Sequence, residues 1–493
     1  MLYFKPYLYL NLGLQGILSI FPTTTEPSDT LVAKDFETPN IVYILADDLG
    51  YGDLSCYGQE KFSTPNIDRL AAAGMRFTQH YAGSTVCAPS RSALMTGQHT
   101  GHTFVRGNLD VKSEGQYPLP AETFTLAEAL KEIGYATGAF GKWGLGFPGS
   151  EGDPNHQGFD TFFGYNCQQI AHHYYPYHLW SNQDSVVLAA NAGKQKGAYA
   201  PELIHREALR FIQENKNRPF FLYLPSVIPH AELIAPDSVM HKYLKRFEPE
   251  VNYKGYDQGP RYRSGPYESQ ANAHAAFVAM IEILDRQVGE IVHTLEELGL
   301  SDNTLIIFTS DNGPHKEGGA DPEYFNSNGP LRGFKRDLYE GGIRVPMIAK
   351  WPNTIPAGSN SKHVSAFWDV FPTLAELTDI ELPDHIDGIS FLPTLIGKNE
   401  QQAQHKYLYW EFHERGGRLA VRKGNWKAVR YDAFKGSESP LELYDLRQDI
   451  GETNNLAEAY PGVIAEIKKI LDEARTPSDV FTFESKKAHK KKN

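Results

Sequence analysis

Cysteine is the scarcest chemically active residue in this chain: 3 in 493 residues, at Cys56, Cys87 and Cys167. Three cysteines cannot build a disulfide framework, and none stands at the close spacing of a zinc site. Cys56 and Cys167 read as small buried apolar residues. Net positive charge is also missing. The formal charge is -12, which argues against duplex nucleic acid as a general partner. An anionic small substrate stays open, because a local group of Lys, Arg and His overrides a negative whole-protein field. No apolar run is long and unbroken enough to cross a bilayer, so no membrane span is expected. Internal repeats are absent. What the chain does have is a globular composition, 41% hydrophobic and 12% aromatic, and the length to bury a large core beside a smaller second one.

Near the N-terminus Lys5 precedes an apolar run over 7–21, broken by Asn11 and Gln15, and a segment rich in Thr, Pro, Ser and Asp over 22–35. This reads as a signal and linker over 1–35 that lacks an A-x-A cleavage site, and export to the periplasm or beyond is expected. Strands and helices then alternate. The continuous apolar run 41–46 suits a strand buried on both faces. Thr64-Pro65 opens a helix that Gly74 ends, and residues 125–133 form another, stopped by Gly134. Strands are predicted at 136–140, 220–224 and 304–309, with helices at 201–215 and 269–298. In the last of these, Phe277, Met280, Ile281, Leu284, Val288 and Val292 recur at helical spacing. The alternation predicts an α/β fold, a doubly wound and mostly parallel sheet, over 36–395. Short strands at 407–412, 417–422, 426–431 and 441–445, then a helix at 460–474, predict a small C-terminal antiparallel α+β domain over 396–480. A basic tail over 481–493 carries Lys486, Lys487, Lys490, Lys491 and Lys492.

Ligand sites of open α/β sheets gather beyond the C-terminal ends of the strands. Four such ends here carry polar residues: Asp47 and Asp48, Lys142, His230, and Asp311 with Asn312. Asp47, Asp48, Asp311 and Asn312 form an all-oxygen set suited to a hard cation such as Ca²⁺. The alternative is turn-forming Asp and Asn residues, which explains one pair more comfortably than two at equivalent ends. Cys87 precedes a short helix, with Pro89 in its first turn and Gly97 at its end. Helix N-termini favour negative charge, and Arg91 lies one turn on, on the same face.

The run Val86-Cys87-Ala88-Pro89-Ser90-Arg91 reads Cys-x-Pro-x-Arg. Taken with the strand ending in Asp47-Asp48, with Gly141-Lys142-Trp143, and with Thr309-Ser310-Asp311-Asn312-Gly313, it resembles the formylglycine-dependent sulfatases over about residues 38–475. The resemblance implies an alkaline-phosphatase-like fold. It implies that a maturase oxidises Cys87 to formylglycine, whose hydrate attacks sulfate esters. It assigns Ca²⁺ to Asp47, Asp48, Asp311, Asn312 and residue 87, and gives Arg91 the task of holding the hydrate. Lys142 and Lys335 become sulfate clamps, the latter in a Gly-Phe-Lys-Arg-Asp-Leu-Tyr-Glu-Gly-Gly run over 333–342, and His230 would protonate the leaving oxygen.

One departure stands out. Many members of the family carry a histidine after Gly-Lys-Trp, where this chain has Gly144. His99, His102, His172 and His173 are the nearby candidates to replace it. The segment 164–180 interleaves Tyr, His and Gln, a texture that suits a sugar's apolar faces and hydroxyls as well as it suits a partly buried aromatic loop. With Gly141-Lys142-Trp143-Gly144, Pro229-His230-Ala231-Glu232-Leu233 and the 333–342 run, it makes the chain resemble bacterial polysaccharide sulfatases acting on 4-O-sulfated galactose or N-acetylgalactosamine, as in carrageenan- or chondroitin-type glycans. His172, His173 and Arg332 are then expected on the sugar. Two competing functions are a phosphodiester or phosphonate monoester hydrolase, and a non-catalytic sulfated-glycan-binding protein.

Overall fold

The structure is a computed structural model that describes residues 38–111 and 114–483. The signal and linker read over 1–35, and the lysines of the tail, lie outside the described residues. Strands β1 (Asn40–Ala46), β2 (Met75–Tyr81), β3 (Ala136–Lys142), β4 (Thr161–Tyr165), β5 (His178–Ser181), β6 (Asp184–Val187), β7 (Phe220–Pro225), β8 (Thr304–Ser310), β9 (Arg344–Lys350), β10 (Ser359–Ser361) and β11 (Ser365–Ala366) share one sheet. Its order is β10-β2-β9-β8-β1-β7-β3-β4-β5-β6, with β11 beside β2. The centre, β8-β1-β7-β3-β4, is parallel, while β9 runs antiparallel to both β8 and β2.

Every residue of β1 is buried. Val42, Ile44 and Ala46 enter one apolar cluster and Ile41, Tyr43 and Leu45 the other, so both faces of the sheet are covered. This is why the strand reads as an unbroken apolar run rather than an alternating one. The 25-residue helix Ala273–Glu297 covers the first face with Phe277, Met280, Ile281 and Leu284. A reciprocal capping box of Thr125 and Glu128 starts the helix Leu126–Glu132. A separate antiparallel sheet, β12 (Leu408–Phe412), β13 (Arg418–Lys423), β14 (Trp426–Tyr431) and β15 (Leu441–Asp445), packs against the helix Pro461–Glu473 through Ile467 and Leu471. Packed chain continues to Phe483, which stacks on His413. No helix among the described residues is long and apolar enough to cross a membrane.

Candidate active site

The parallel strands deliver their polar ends to one point. Asp47 and Asp48 follow β1, and Asp48 takes a left-handed backbone conformation (φ 63°) that Asp tolerates better than most residues. Asp311 and Asn312 follow the neighbouring β8. Asp311 Oδ1 accepts from the Asp48 N–H at 3.1 Å, and Asn312 Nδ2 donates to Asp48 Oδ1 at 2.7 Å. Lys142 is the last residue of β3, and its Nζ donates to Asp47 Oδ2 at 2.6 Å. His230 lies in the loop beyond β7.

Cys87 is the first residue of the helix Cys87–Thr96, all ten residues of which are buried, and Gly97 closes it in a left-handed conformation. Its Sγ sits 3.3 Å from Lys142 Nζ and 3.5 Å from Asp47 Oδ1. One turn on, Arg91 places Nη2 2.8 Å from Asp311 Oδ2 and 3.6 Å from Asp47 Oδ2, and Nη1 donates to the Lys142 carbonyl. On the other side, Lys335 Nζ lies 2.8 Å from Asp48 Oδ2 and 3.0 Å from His230 Nε2. His230 Nδ1 faces the Ala231 carbonyl, so Nδ1 carries the proton and Nε2 accepts. The structure therefore brings together Asp47, Asp48, Cys87, Arg91, Lys142, His230, Asp311, Asn312 and Lys335.

Electrostatics follow from burial. Burial alone would raise Asp47, but Lys142, His230, Arg91 and Lys335 outweigh it and hold the carboxyl well below the usual range. Burial, reinforced by Asp47, pushes Asp311 up to about 7 despite Arg91. Burial and then Lys335 bring His230 down to about 4. Burial, helped by Asp47, pushes the Cys87 thiol well up, against Lys142 and Lys335. An unmodified Cys87 is thus a thiol at neutral pH, and a thiol is a poor nucleophile.

A hard cation suits this donor set. The ligand atoms of Asp47, Asp48, Cys87 and His230 lie within 4.8 Å of one another. Asn312 Oδ1 is buried without a hydrogen-bond partner among the described residues, although its Nδ2 is used twice. A buried acceptor left free beside three buried carboxylates is what an oxygen-ligated cation would satisfy.

Above Cys87 opens a cavity of about 400 Å³ whose lining includes His172, His230, Gln168, Tyr267, Lys335 and Arg336. His172 stacks on His230 with ring centroids 5.0 Å apart, and its Nδ1 faces the Gly265 carbonyl at 2.9 Å, leaving Nε2 as an acceptor. His173, expected on the sugar, does not line this cavity. It is fully buried, with Nδ1 on Glu232 at 3.2 Å and Nε2 accepting the Gly265 N–H at 2.8 Å. Arg332 is not there either. It lies 3.8 Å over the Tyr339 ring and donates to the Glu452 carbonyl at 2.6 Å. His99 and His102 gather around Asp387 away from the cavity, with His102 Nδ1 2.8 Å from Asp387 Oδ1. Of the four histidines near Gly144 in sequence, His172 alone reaches the cavity lining. Gln168, within the segment 164–180 whose texture suits a sugar, lines it as well; Arg336, Arg261 and Glu317 also line it and were not singled out for that role. Arg336 could have been, since it follows Lys335 in the same motif.

The sulfatase family profile matches residues 39–380, and a second, described as N-sulphoglucosamine sulphohydrolase, C-terminal, matches residues 333–477. Arylsulfatase A of Homo sapiens is 34% identical over 477 residues, covering 88% of this chain and 86% of its own. The N-acetylgalactosamine-6-O-sulfatase of Bacteroides thetaiotaomicron is 31% identical over 521 residues, covering 90% and 94%. The crystal structure of Ps i-CgsB in complex with k-i-k-neocarrahexaose superposes with a TM-score of 0.75 at 28% identity, over 92% of this chain and 96% of that one.

Proposed function

The chain belongs to the sulfatase family and is a sulfuric ester hydrolase, and on that premise we propose that it removes a 4-O-sulfate from a galactose-configured sugar, with residue 87 carried as formylglycine and Ca²⁺ beside it. The observation that carries the reading is the meeting of Cys87, Asp47 and Lys142 at the floor of a cavity walled by His230 and Lys335. A maturase acting on the Cys-x-Pro-x-Arg run would install the formylglycine. Asp47, Asp48, Asp311 and Asn312 would hold the ion, which when bound would lower the pKa of the attacking hydroxyl.

The chain's own side chains do the rest. Arg91, fixed by Asp311 and Asp47, orients residue 87. Lys142 and Lys335 set positive charge where negative charge grows on the sulfuryl oxygens. The Lys335 Nζ–His230 Nε2 pair holds a proton at the cavity wall, available to the bridging oxygen. The neutral His172 presents an acceptor Nε2 to the sugar, and Arg336 and Arg261 add cationic groups at the rim. A sulfated glycan too large to enter the cell fits the expectation of export.

A second reading, cleavage of a 6-O-sulfate, is favoured by the relative named N-acetylgalactosamine-6-O-sulfatase. The test is a panel of galactose 2-, 3-, 4- and 6-sulfates with their glucose counterparts, run on protein whose tryptic peptide ending at Arg91 shows an aldehyde by mass spectrometry. Fastest release from the 4-sulfate is expected. Preference for the 6-sulfate transfers the assignment to the second reading, and hydrolysis of aryl sulfates alone rejects the carbohydrate reading.

A further inference from the structure

Gln168 lines the cavity that holds Cys87, His230 and Lys335. It is 6% exposed, yet neither Nε2 nor Oε1 of its amide has a hydrogen-bond partner among the described residues. Buried polar atoms are seldom left this way, because each forfeits its hydration with nothing in return. Gln116 and Asn166 close by also carry free amide atoms, but neither lines the cavity. The Gln168 backbone is pinned, its N–H donating to Gln116 Oε1 at 3.2 Å.

Gly144 makes the room. Its φ is +80°, its N–H donates to the Asn166 carbonyl at 3.0 Å, and a Cβ built there would meet Gln168 Nε2 at 2.1 Å. A Cβ at this position would push the Gln168 amide from where it stands. The residue after Trp143 is therefore given over to Gln168.

A free donor and a free acceptor on one planar group match a partner that offers both. Sulfate oxygens only accept and would leave Oε1 unpaired. Neighbouring ring hydroxyls of a sugar fit, one accepting from Nε2–H and the next donating to Oε1. Either orientation of the amide presents the same pair. We infer that Gln168 is a specificity-determining residue that binds vicinal hydroxyls of the sulfated sugar, and that Gly144 is required because it clears the space for that amide. This rests on the carbohydrate sulfatase reading above.

The test compares kcat/KM on the preferred galactose sulfate with kcat/KM on 4-nitrophenyl sulfate, which has no ring hydroxyls. Gln168→Ala is expected to lower the sugar-to-aryl ratio by about tenfold or more, the size of a lost buried hydrogen bond. Gly144→Ala should lower the ratio by a similar factor, and the double variant should lower it no further, since both changes remove one contact. Deoxy analogues of the sugar, lacking each ring hydroxyl in turn, should be penalised in the parent and much less in Gln168→Ala. If Gly144→Ala does not fold, the deoxy series on Gln168→Ala decides alone. A parent that cleaves the sugar sulfate with a ratio unmoved by Gln168→Ala, or with both substrates slowed equally, overturns this inference and leaves the amide to water or packing. A parent that cleaves only the aryl ester overturns the carbohydrate reading and this inference with it.

Discussion

Lys142 and Lys335 are both buried, and each is tied to one aspartate, Asp47 and Asp48 respectively. Burial opposes their charge, but those carboxylates keep both ammonium groups protonated. Cations fixed before substrate arrives act where charge develops, so Lys142→Ala and Lys335→Ala should each lower kcat by about 10²-fold or more. Steady-state kinetics that show only a raised KM would reduce them to ground-state binders. Asn312 makes the matching case for the ion. Asn312→Leu removes the free Oδ1, and elemental analysis should find calcium in the parent and little in the variant. Equal calcium in both would remove Asn312 from the ligand set. The residues on this floor were legible because each follows a strand or a marked motif. The wall was less so. His172 and His173 are consecutive, and around the 3₁₀ turn Ile170–His172 successive side chains diverge by about 120°, so one faces the cavity and the other the Glu232 carboxylate. Arg332 precedes Gly333, whose φ of +88° turns the chain, and the arginine stacks on Tyr339 instead. Gly144 and Gln168 meet only across 24 positions of folded chain, and nothing in the local pattern joins them.

Among the elements, buried strands and capped helices were plain from apolar runs, Gly stops and the Thr125–Glu128 cap, and their bounds in the structure lie within a few residues. Strands β2 and β9 were not anticipated. β2 mixes Arg76, Thr78, Gln79 and His80 among its apolar residues, and β9 contains Pro346, which argues against an interior strand. The structure reconciles this with a register shift in β2 between Phe77 and His80, opposite Pro346. The bulge spares the sheet the N–H that proline lacks, and the Arg344 guanidinium donates to the Thr78 carbonyl there at 2.8 Å. Just past it, the fully buried His80 sets Nδ1 2.9 Å from Ser365 Oγ, tying β2 to β11. Burial lowers its pKa to about 3, against the pull of Asp369. The folded state thus refuses a proton that the unfolded chain accepts below its ordinary value of about 6.5. Its contribution is intact above that pH and is lost progressively as pH falls from there toward 3, by up to about 1.4 kcal/mol per pH unit. His80→Gln cannot titrate, so its deficit in unfolding temperature against the parent should shrink between pH 7.5 and 5. Parallel curves for the two proteins would show that His80 is not the group responsible.

Across the whole molecule, the small sheet acts as the back wall of the helix that begins at Cys87. Val86 and Ala93 share an apolar cluster with Leu408, Trp410 and Phe412, and Trp410 Nε1 donates to the Ala82 carbonyl at 3.0 Å. A buried ion group locks the two sheets together. Lys427 of β14 places Nζ 2.9 Å from Glu340 and 3.5 Å from Glu452, all three fully buried. Burial pushes Glu452 up to about 7 against Lys427, whereas at Glu340 the combined Lys427, Arg344 and Arg422 overcome burial and bring it down to about 2. Glu340 lies in the turn that closes the segment carrying Lys335, so this cation stabilises the site from behind. Lys427→Met would leave two buried carboxylates without their shared partner, at a cost of about 3–5 kcal/mol. The variant should unfold several degrees lower than the parent. Its folded fraction should show a reduced kcat, because the Lys335 segment loses the anchor of its closing turn. Lys427→Arg, which keeps the charge, should recover part of both losses. An unchanged unfolding temperature in Lys427→Met would mean that apolar contacts alone hold the small sheet in place, and that the ion group has no part in positioning Lys335.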